Sequence, residues 1–161
     1  MGGYVLSGCD DDDVVVSQSN VQVGDTCPAF SVKDLTGEAH TFPVSGRPSV
    51  LLLFDTSCPD CVQQFPAVHE LYKLYGASVE FLAVARDQDV GQVKQFIEAH
   101  QYAMPVAADG TRNVYELFAK SGVPRIYFMR NDKVMYMSDD SKLLSLDDGI
   151  GYVESLLRFY Q

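Results

Sequence analysis

Three observations predict an α/β domain with a central mixed β-sheet and helices on both faces. The near-continuous apolar run Ser49-Val50-Leu51-Leu52-Leu53-Phe54 has the length and character of a strand buried on both sides. Strand and helix patterns then alternate from residue 49 to residue 120, the order that parallel crossover units produce. Near the end, two strand patterns flank Asn131-Asp132, a pair suited to a tight hairpin, which adds antiparallel strands to the sheet.

The elements follow in chain order. Residues 24–30 are rich in breakers and form a loop. Residues 30–35 and 40–44 read as short strands, with Thr36-Gly37 turning the chain between them. After the buried strand over 49–54, a helix is expected up to Tyr75. Val62, Phe65, Val68, Leu71 and Tyr75 recur there at three- and four-residue steps. Pro59 suits its first turn, where a missing N–H costs nothing. Pro66 is expected to kink it and Gly76 to end it. Residues 79–85 form the next strand and 90–100 the next helix, with Val93, Phe96 and Ile97 facing inward. A short extended piece over 104–108 and a short helix over 113–120 follow. Strands over 125–129 and 133–137 and a terminal amphipathic helix over 150–160 complete the chain.

The chain has 161 residues, enough for one domain, assigned to 23–161, behind a tail over 1–22. The net charge of −10 argues against nucleic acid and against a polybasic membrane patch, both of which need clustered Lys and Arg. No apolar run approaches the ~20 residues of a membrane-spanning helix. Four cysteines are too few for a disulfide-stapled miniprotein. No glycine-rich phosphate loop is present, so no organic cofactor is expected.

Cys58-Pro59-Asp60-Cys61 is the central chemical signal. Two cysteines three apart at a helix start can close a small disulfide ring. The helix N-terminus favours a thiolate on Cys58, and Cys61, one turn further in, is expected to be more buried. That arrangement suits Cys58 as the attacking thiol and Cys61 as the resolving one. Ser57 is placed to cap the helix. A structural zinc site would need a second pair of ligands, and Cys9, Cys27, His40, His69 and His100 show no such spacing. A haem attachment would need His where Val62 stands. An inert structural disulfide stays open as the competing assignment.

Several stretches resemble the thioredoxin-like superfamily, and within it the exported, membrane-anchored thiol-disulfide oxidoreductases related to the alkyl hydroperoxide reductase and thiol-specific antioxidant group. Val23-Gly24-Asp25-Thr26-Cys27-Pro28-Ala29-Phe30 matches the group's opening motif, and Asp34-Leu35-Thr36-Gly37 the turn after it. The apolar strand before the cysteine pair, Phe65-Pro66 after it, and Gly122-Val123-Pro124 before a late strand extend the match across 23–161. The resemblance implies a thioredoxin-like fold and a Cys58–Cys61 disulfide as the redox group. It also implies a cis Val123–Pro124 bond packed on Cys58, with the Val123 backbone pairing to substrate. Protein disulfides would then be the substrates, with an upstream electron donor as second partner. Arg125, just past that loop, reads either as a residue of the active-site rim or, in preference, as a surface cation.

The departures from the group bear on direction. Ser57 stands where the family carries Trp, Gln64 where related reductases carry Glu, and Leu52 where thioredoxin has a buried Asp. Asp60, inside the motif, disfavours a thiolate on Cys58, which weakens the oxidising power of the disulfide and points to a reductant. A disulfide oxidase or isomerase is the alternative. A thiol peroxidase needs Thr where Asp55 stands, with Pro where Leu51 stands. A Cu(I)-binding module would pair the cysteines with a distant His, for which His100 is the candidate. Cys27 reads as a buried structural thiol, and His69 as a surface or packing residue.

In the tail, Leu6-Ser7-Gly8-Cys9 resembles a bacterial lipobox, which implies a lipid on Cys9. The acidic run Asp10-Asp11-Asp12-Asp13 resembles the surface-export signal of some Gram-negative lipoproteins, and residues 14–20 read as a linker. Met1 to Gly8 lacks the basic start of a full signal peptide, so the chain would begin inside one. The expectation is an exported protein, periplasmic or anchored at the outer membrane. The competing assignment is an acidic tail with an incidental thiol.

Overall fold

The computed structural model describes residues 18–158. Cys9 and Asp10 to Asp13 lie outside that range. Strand β4 (Pro48–Phe54) forms the centre of a five-stranded mixed sheet, and all of its residues are buried. β5 (Glu80–Arg86) runs parallel to it, with Phe54 opposite Ala85, and β6 (Val106–Asp109) runs parallel to β5. On the other side lie antiparallel β8 (Arg125–Arg130) and β9 (Lys133–Ser138). The turn between them is Asn131-Asp132, with Asn131 at φ 55°.

Side-chain alternation assigns the two faces. Phe54 of β4 meets Phe65 of α1 (Pro59–Tyr75), and Phe128 of β8 meets Tyr152 of α4 (Leu146–Leu157). Tyr127, the residue before it on β8, meets Phe118 of α3 (Asn113–Phe118) on the opposite face. Helix α2 (Val90–His100) joins the α1 side, where Phe96 touches both Phe54 and Phe65. Helices therefore cover both faces of a mixed sheet. α1 and α4 pack closely at Gly149, where a Cβ would come within 2.7 Å of Leu71 Cδ1.

Element boundaries moved where tertiary partners intervene. Gln18–Ser19, within the stretch read as a linker, form β1, which pairs with β7 (Ala119–Ser121). This pairing shortens the helix expected over 113–120: Asn20 N–H bonds the Phe118 carbonyl, and Ala119 is extended. The last helix begins four residues before Ile150, because Ser145 caps it by accepting from the Asp148 N–H. Helix α1 runs unbroken through Pro66. α2 has the expected bounds, set by a capping box between Asp89 and Gln92.

The early strands β2 (Phe30–Lys33) and β3 (Ala39–Phe42) form a hairpin, tied to the main sheet by a buried charge group. His40 Nε2 lies 2.7 Å from Asp34 Oδ2, and Nδ1 lies 3.2 Å from Glu80 Oε2. Arg47 bonds the other Glu80 oxygen at 2.6 Å. Only an imidazolium donates to both carboxylates at once. Burial works against the charged ring, but the bonds to Asp34 and Glu80 outweigh it and raise the His40 pKa above 6.5. Stability from this group is thus fully present below about pH 6.5 and is lost as pH rises through the raised value. Thermal unfolding should show Tm falling across that window in the native chain, with the slope reduced in His40→Gln. An identical slope in the variant would exclude His40 as its source.

Candidate active site

The cysteine pair sits where β4 ends and α1 begins. Asp55 starts the connection, and its Oδ1 accepts from the Ser57 N–H at 2.9 Å and the Ser57 hydroxyl at 2.7 Å. Ser57 is therefore committed to a local turn and does not cap the helix. Cys58 takes the cap position, with no side-chain capping bond, and Pro59 opens the helix. Asp60 lies in the first turn and is half-buried.

Both cysteines are buried, Cys58 at 3% and Cys61 at 1% relative exposure, so the expected difference in burial is absent. They are close but not joined to each other, and Cys61 is a free thiol. Their surroundings distinguish them. Cys58 Sγ lies 3.9 Å from the Val123 carbonyl oxygen. Cys61 Sγ accepts from the Asp55 backbone N–H at 3.4 Å. Burial pushes the Cys61 thiol up to about 12; the Asp55 N–H opposes this, the Asp55 and Asp60 charges add to it, and the Arg86 charge opposes it.

The Val123–Pro124 bond is cis. Arg125, expected on the surface, is 1% exposed. It shares the β8 face of Tyr127 and turns back under the loop, where Nε donates to the Gly122 carbonyl at 2.9 Å and Nη2 to the Ser121 carbonyl at 2.6 Å. The Tyr115 hydroxyl also donates to the Gly122 carbonyl, at 3.0 Å. The correction has a plain cause: carbonyls turned into the protein need donors, and Arg125 supplies two.

Two buried glutamines tie neighbouring segments together, and nothing in the sequence marks their partners. Gln88 accepts from the Thr56 N–H at 2.8 Å and donates to the Thr56 hydroxyl at 2.6 Å. Gln64 bonds both backbone groups of Leu144. Arg86, the last residue of β5, is buried with its guanidinium 4.7 Å from the Tyr115 ring centre. It follows Ala85, whose partner Phe54 precedes Asp55, so it stands beside the start of the cysteine loop.

The remaining candidates lie elsewhere. Cys27 is buried, bonds the Pro28 carbonyl, and is pushed up to about 12 by burial and by the Asp132 charge. His69 accepts from the Ala103 N–H and packs on Tyr102. His100 contacts the Phe96 carbonyl and stacks on Tyr102. Asp34, Glu38 and His40 bring three ligand-type atoms within 4.8 Å of one another. Two of the three are engaged in other bonds: Asp34 Oδ1 accepts from Thr36 N, Thr36 Oγ1 and Glu38 N, and His40 is held between the Asp34 and Glu80 carboxylates.

Two cysteines three apart at a helix start, beside a cis-proline loop, on a mixed sheet covered on both faces, form an arrangement for thiol-disulfide chemistry. Comparison with known proteins agrees, since residues 23–136 match the AhpC/TSA family. The chain belongs to that family. Among its relatives is the thiol-disulfide oxidoreductase ResA of Geobacillus thermodenitrificans, 30% identical over 117 residues, covering 71% of this chain and 67% of the relative. Two solved structures share the fold. A thiol:disulfide interchange protein of the thioredoxin family from Chlorobium tepidum superposes with a TM-score of 0.72 at 18% identity, covering 85% of this chain and 99% of the other. A secreted disulfide oxidoreductase from Mycobacterium tuberculosis gives 0.66 at 22% identity, covering 78% and 95%. This AhpC/TSA member is accordingly a thioredoxin-like enzyme of the thiol-disulfide oxidoreductase class.

Proposed function

We propose that Cys58 and Cys61 form the catalytic dithiol and that it reduces protein disulfides in the cell envelope. The observation that carries this is Cys58 at the cap of α1 with its sulfur 3.9 Å from the Val123 carbonyl. In this reading the attacking sulfur stands beside the backbone edge offered to substrate at Val123 and Pro124. Cys58 thiolate attacks one sulfur of the substrate disulfide, a mixed disulfide forms, and the second substrate sulfur leaves as a thiolate. Cys61 thiolate then attacks Cys58 Sγ. The Cys58–Cys61 disulfide forms and the substrate sulfur that had been held on Cys58 departs as a thiolate, so the two substrate sulfurs have together gained two electrons. An upstream dithiol donor returns those electrons. No organic cofactor or metal takes part. Because Cys58 is buried, its sulfur must become accessible before attack.

The acidic surroundings support the reducing direction. Asp60 sits within the motif and Asp55 opens the loop before it, and both charges act against a thiolate at Cys61. The peroxidase reading loses support because the Thr56 hydroxyl is held by Gln88. The Cu(I) reading loses support because His100 is engaged on α2. Export, with lipid on Cys9 as the tether, fits the secreted relative and the lipobox-like stretch.

The decisive measurement is the reduction potential, by equilibration with glutathione or dithiothreitol followed by alkylation and mass analysis. A value near −270 mV, about that of thioredoxin, supports the reductant. A value near −120 mV, about that of a strong disulfide donor, makes the protein an oxidase instead. Absence of a reversible two-electron couple would remove the dithiol reading.

A further inference from the structure

Gln64 is 2% exposed, and the exchange steps above do not use it. Its amide spends its donor and its acceptor on one backbone position. Nε2 donates to the Leu144 carbonyl at 3.0 Å, and Oε1 accepts from the Leu144 N–H at 2.7 Å. Gln64 stands three residues after Cys61, one turn along α1. The bond pair therefore joins the helix of the dithiol to the segment linking β9 with α4. That segment leaves the sheet at Ser138, whose partner on β8 is Ile126, two residues past Pro124. It starts, in other words, at the end of the sheet that holds the Val123–Pro124 loop. A cleft of about 270 Å³ lies along it, lined by Ser138, Asp139, Lys142, Leu144 and Tyr152 among others.

We propose that Gln64 is a positioning residue for substrate recognition: by pinning Leu144 to α1, it holds residues 139–144 as one wall of the groove that receives the polypeptide flanking the target disulfide. This deepens the reading of the site as a protein-disulfide reductase and rests on it. The chemistry requires a group with one donor and one acceptor in a fixed fork. A carboxylate cannot donate to the Leu144 carbonyl, whereas a protonated carboxyl can make both bonds. Glu at this position would thus close the wall at low pH and release it at high pH. Ala would release it at every pH.

The test compares the native chain, Gln64→Ala and Gln64→Glu on two substrates, insulin and oxidised glutathione, with rates normalised to the native chain at each pH. Gln64→Ala should raise KM for insulin about tenfold, the loss of roughly one buried hydrogen-bond pair, with kcat retained. Its rate with oxidised glutathione, too small to use the groove, should be unchanged. Gln64→Glu should match the native chain at about pH 5 and Gln64→Ala at about pH 8, on either side of a carboxyl pKa raised by burial. Amide hydrogen exchange at Leu144, corrected for intrinsic pH dependence, should follow the same pattern. If Gln64→Ala does not fold, the Gln64→Glu titration alone reads the same bonds. An unchanged KM despite a released Leu144 amide would overturn the proposal. Parallel losses on oxidised glutathione would also overturn it, by assigning Gln64 to the thiols themselves. A native chain that reduces neither substrate would instead remove the dithiol reading on which the proposal rests.

Discussion

Cys61→Ser should convert the enzyme into a trap. Cys58 attacks a disulfide-bonded protein, the mixed disulfide forms, and no second thiol releases it. Multiple turnover should fall to background, with one equivalent of substrate held covalently on Cys58. Cys58→Ser should be equally inactive but form no adduct. Non-reducing electrophoresis with peptide mass analysis separates the two outcomes. An adduct on Cys61 in Cys58→Ser, with none in Cys61→Ser, would reverse the assigned roles. The native chain adds a pH signature. With burial pushing the Cys61 thiol up to about 12, release of the mixed disulfide should quicken about tenfold per pH unit between roughly pH 7 and 9, as the thiolate fraction grows. Two groups temper that barrier: the Asp55 N–H at 3.4 Å from the sulfur and the Arg86 charge. A release rate flat across that range would mean that Cys61 loses its proton more easily in the mixed disulfide than in this structure.

The parts of this fold that were legible in the sequence are those written in local patterns. The run over 49–54 suited a strand enclosed on both faces, and every residue of β4 is buried. The cysteine spacing and Pro59 marked the start of α1, and Asn131-Asp132 marked the hairpin. What stayed hidden depends on partners far along the chain. Gln64 meets Leu144 across 80 residues and Gln88 meets Thr56 across 32, and an amide carries no hint of what it will bond. The first turn of α4 also stayed hidden, because it lies in the acidic, glycine-containing stretch after Ser145. Arg125 shows the limit most clearly. Charge alone argued for the surface, because an isolated buried cation is costly. The carbonyls that justify its burial belong to a loop whose path the sequence did not fix.

Removing Arg125 should therefore cost the fold more than a surface arginine would. Arg125→Met keeps much of the apolar stem but leaves the Ser121 carbonyl without its 2.6 Å donor and the Gly122 carbonyl with Tyr115 alone. Two charge-assisted bonds inside the protein are lost, and one acceptor is stranded. Urea unfolding should show a loss of about 2–4 kcal/mol, in the range for an unpaired buried acceptor plus a broken charged bond. Arg125→Lys, which can restore one donor but not the planar fork, should fall between the native chain and Arg125→Met. Tyr115→Phe removes only one of the two side-chain donors to the Gly122 carbonyl and should cost about 1 kcal/mol. The loop carries the Val123 carbonyl that faces Cys58, so Arg125→Met should also slow protein-disulfide reduction under conditions where it stays folded. A replacement that left stability within about 0.5 kcal/mol would mean that relief from burying a cation offsets the lost bonds, as happens when buried ionic groups are exchanged for apolar ones. In that event the position of the Val123–Pro124 loop would rest on backbone packing, and activity would be the measurement that still distinguishes a held loop from a loose one.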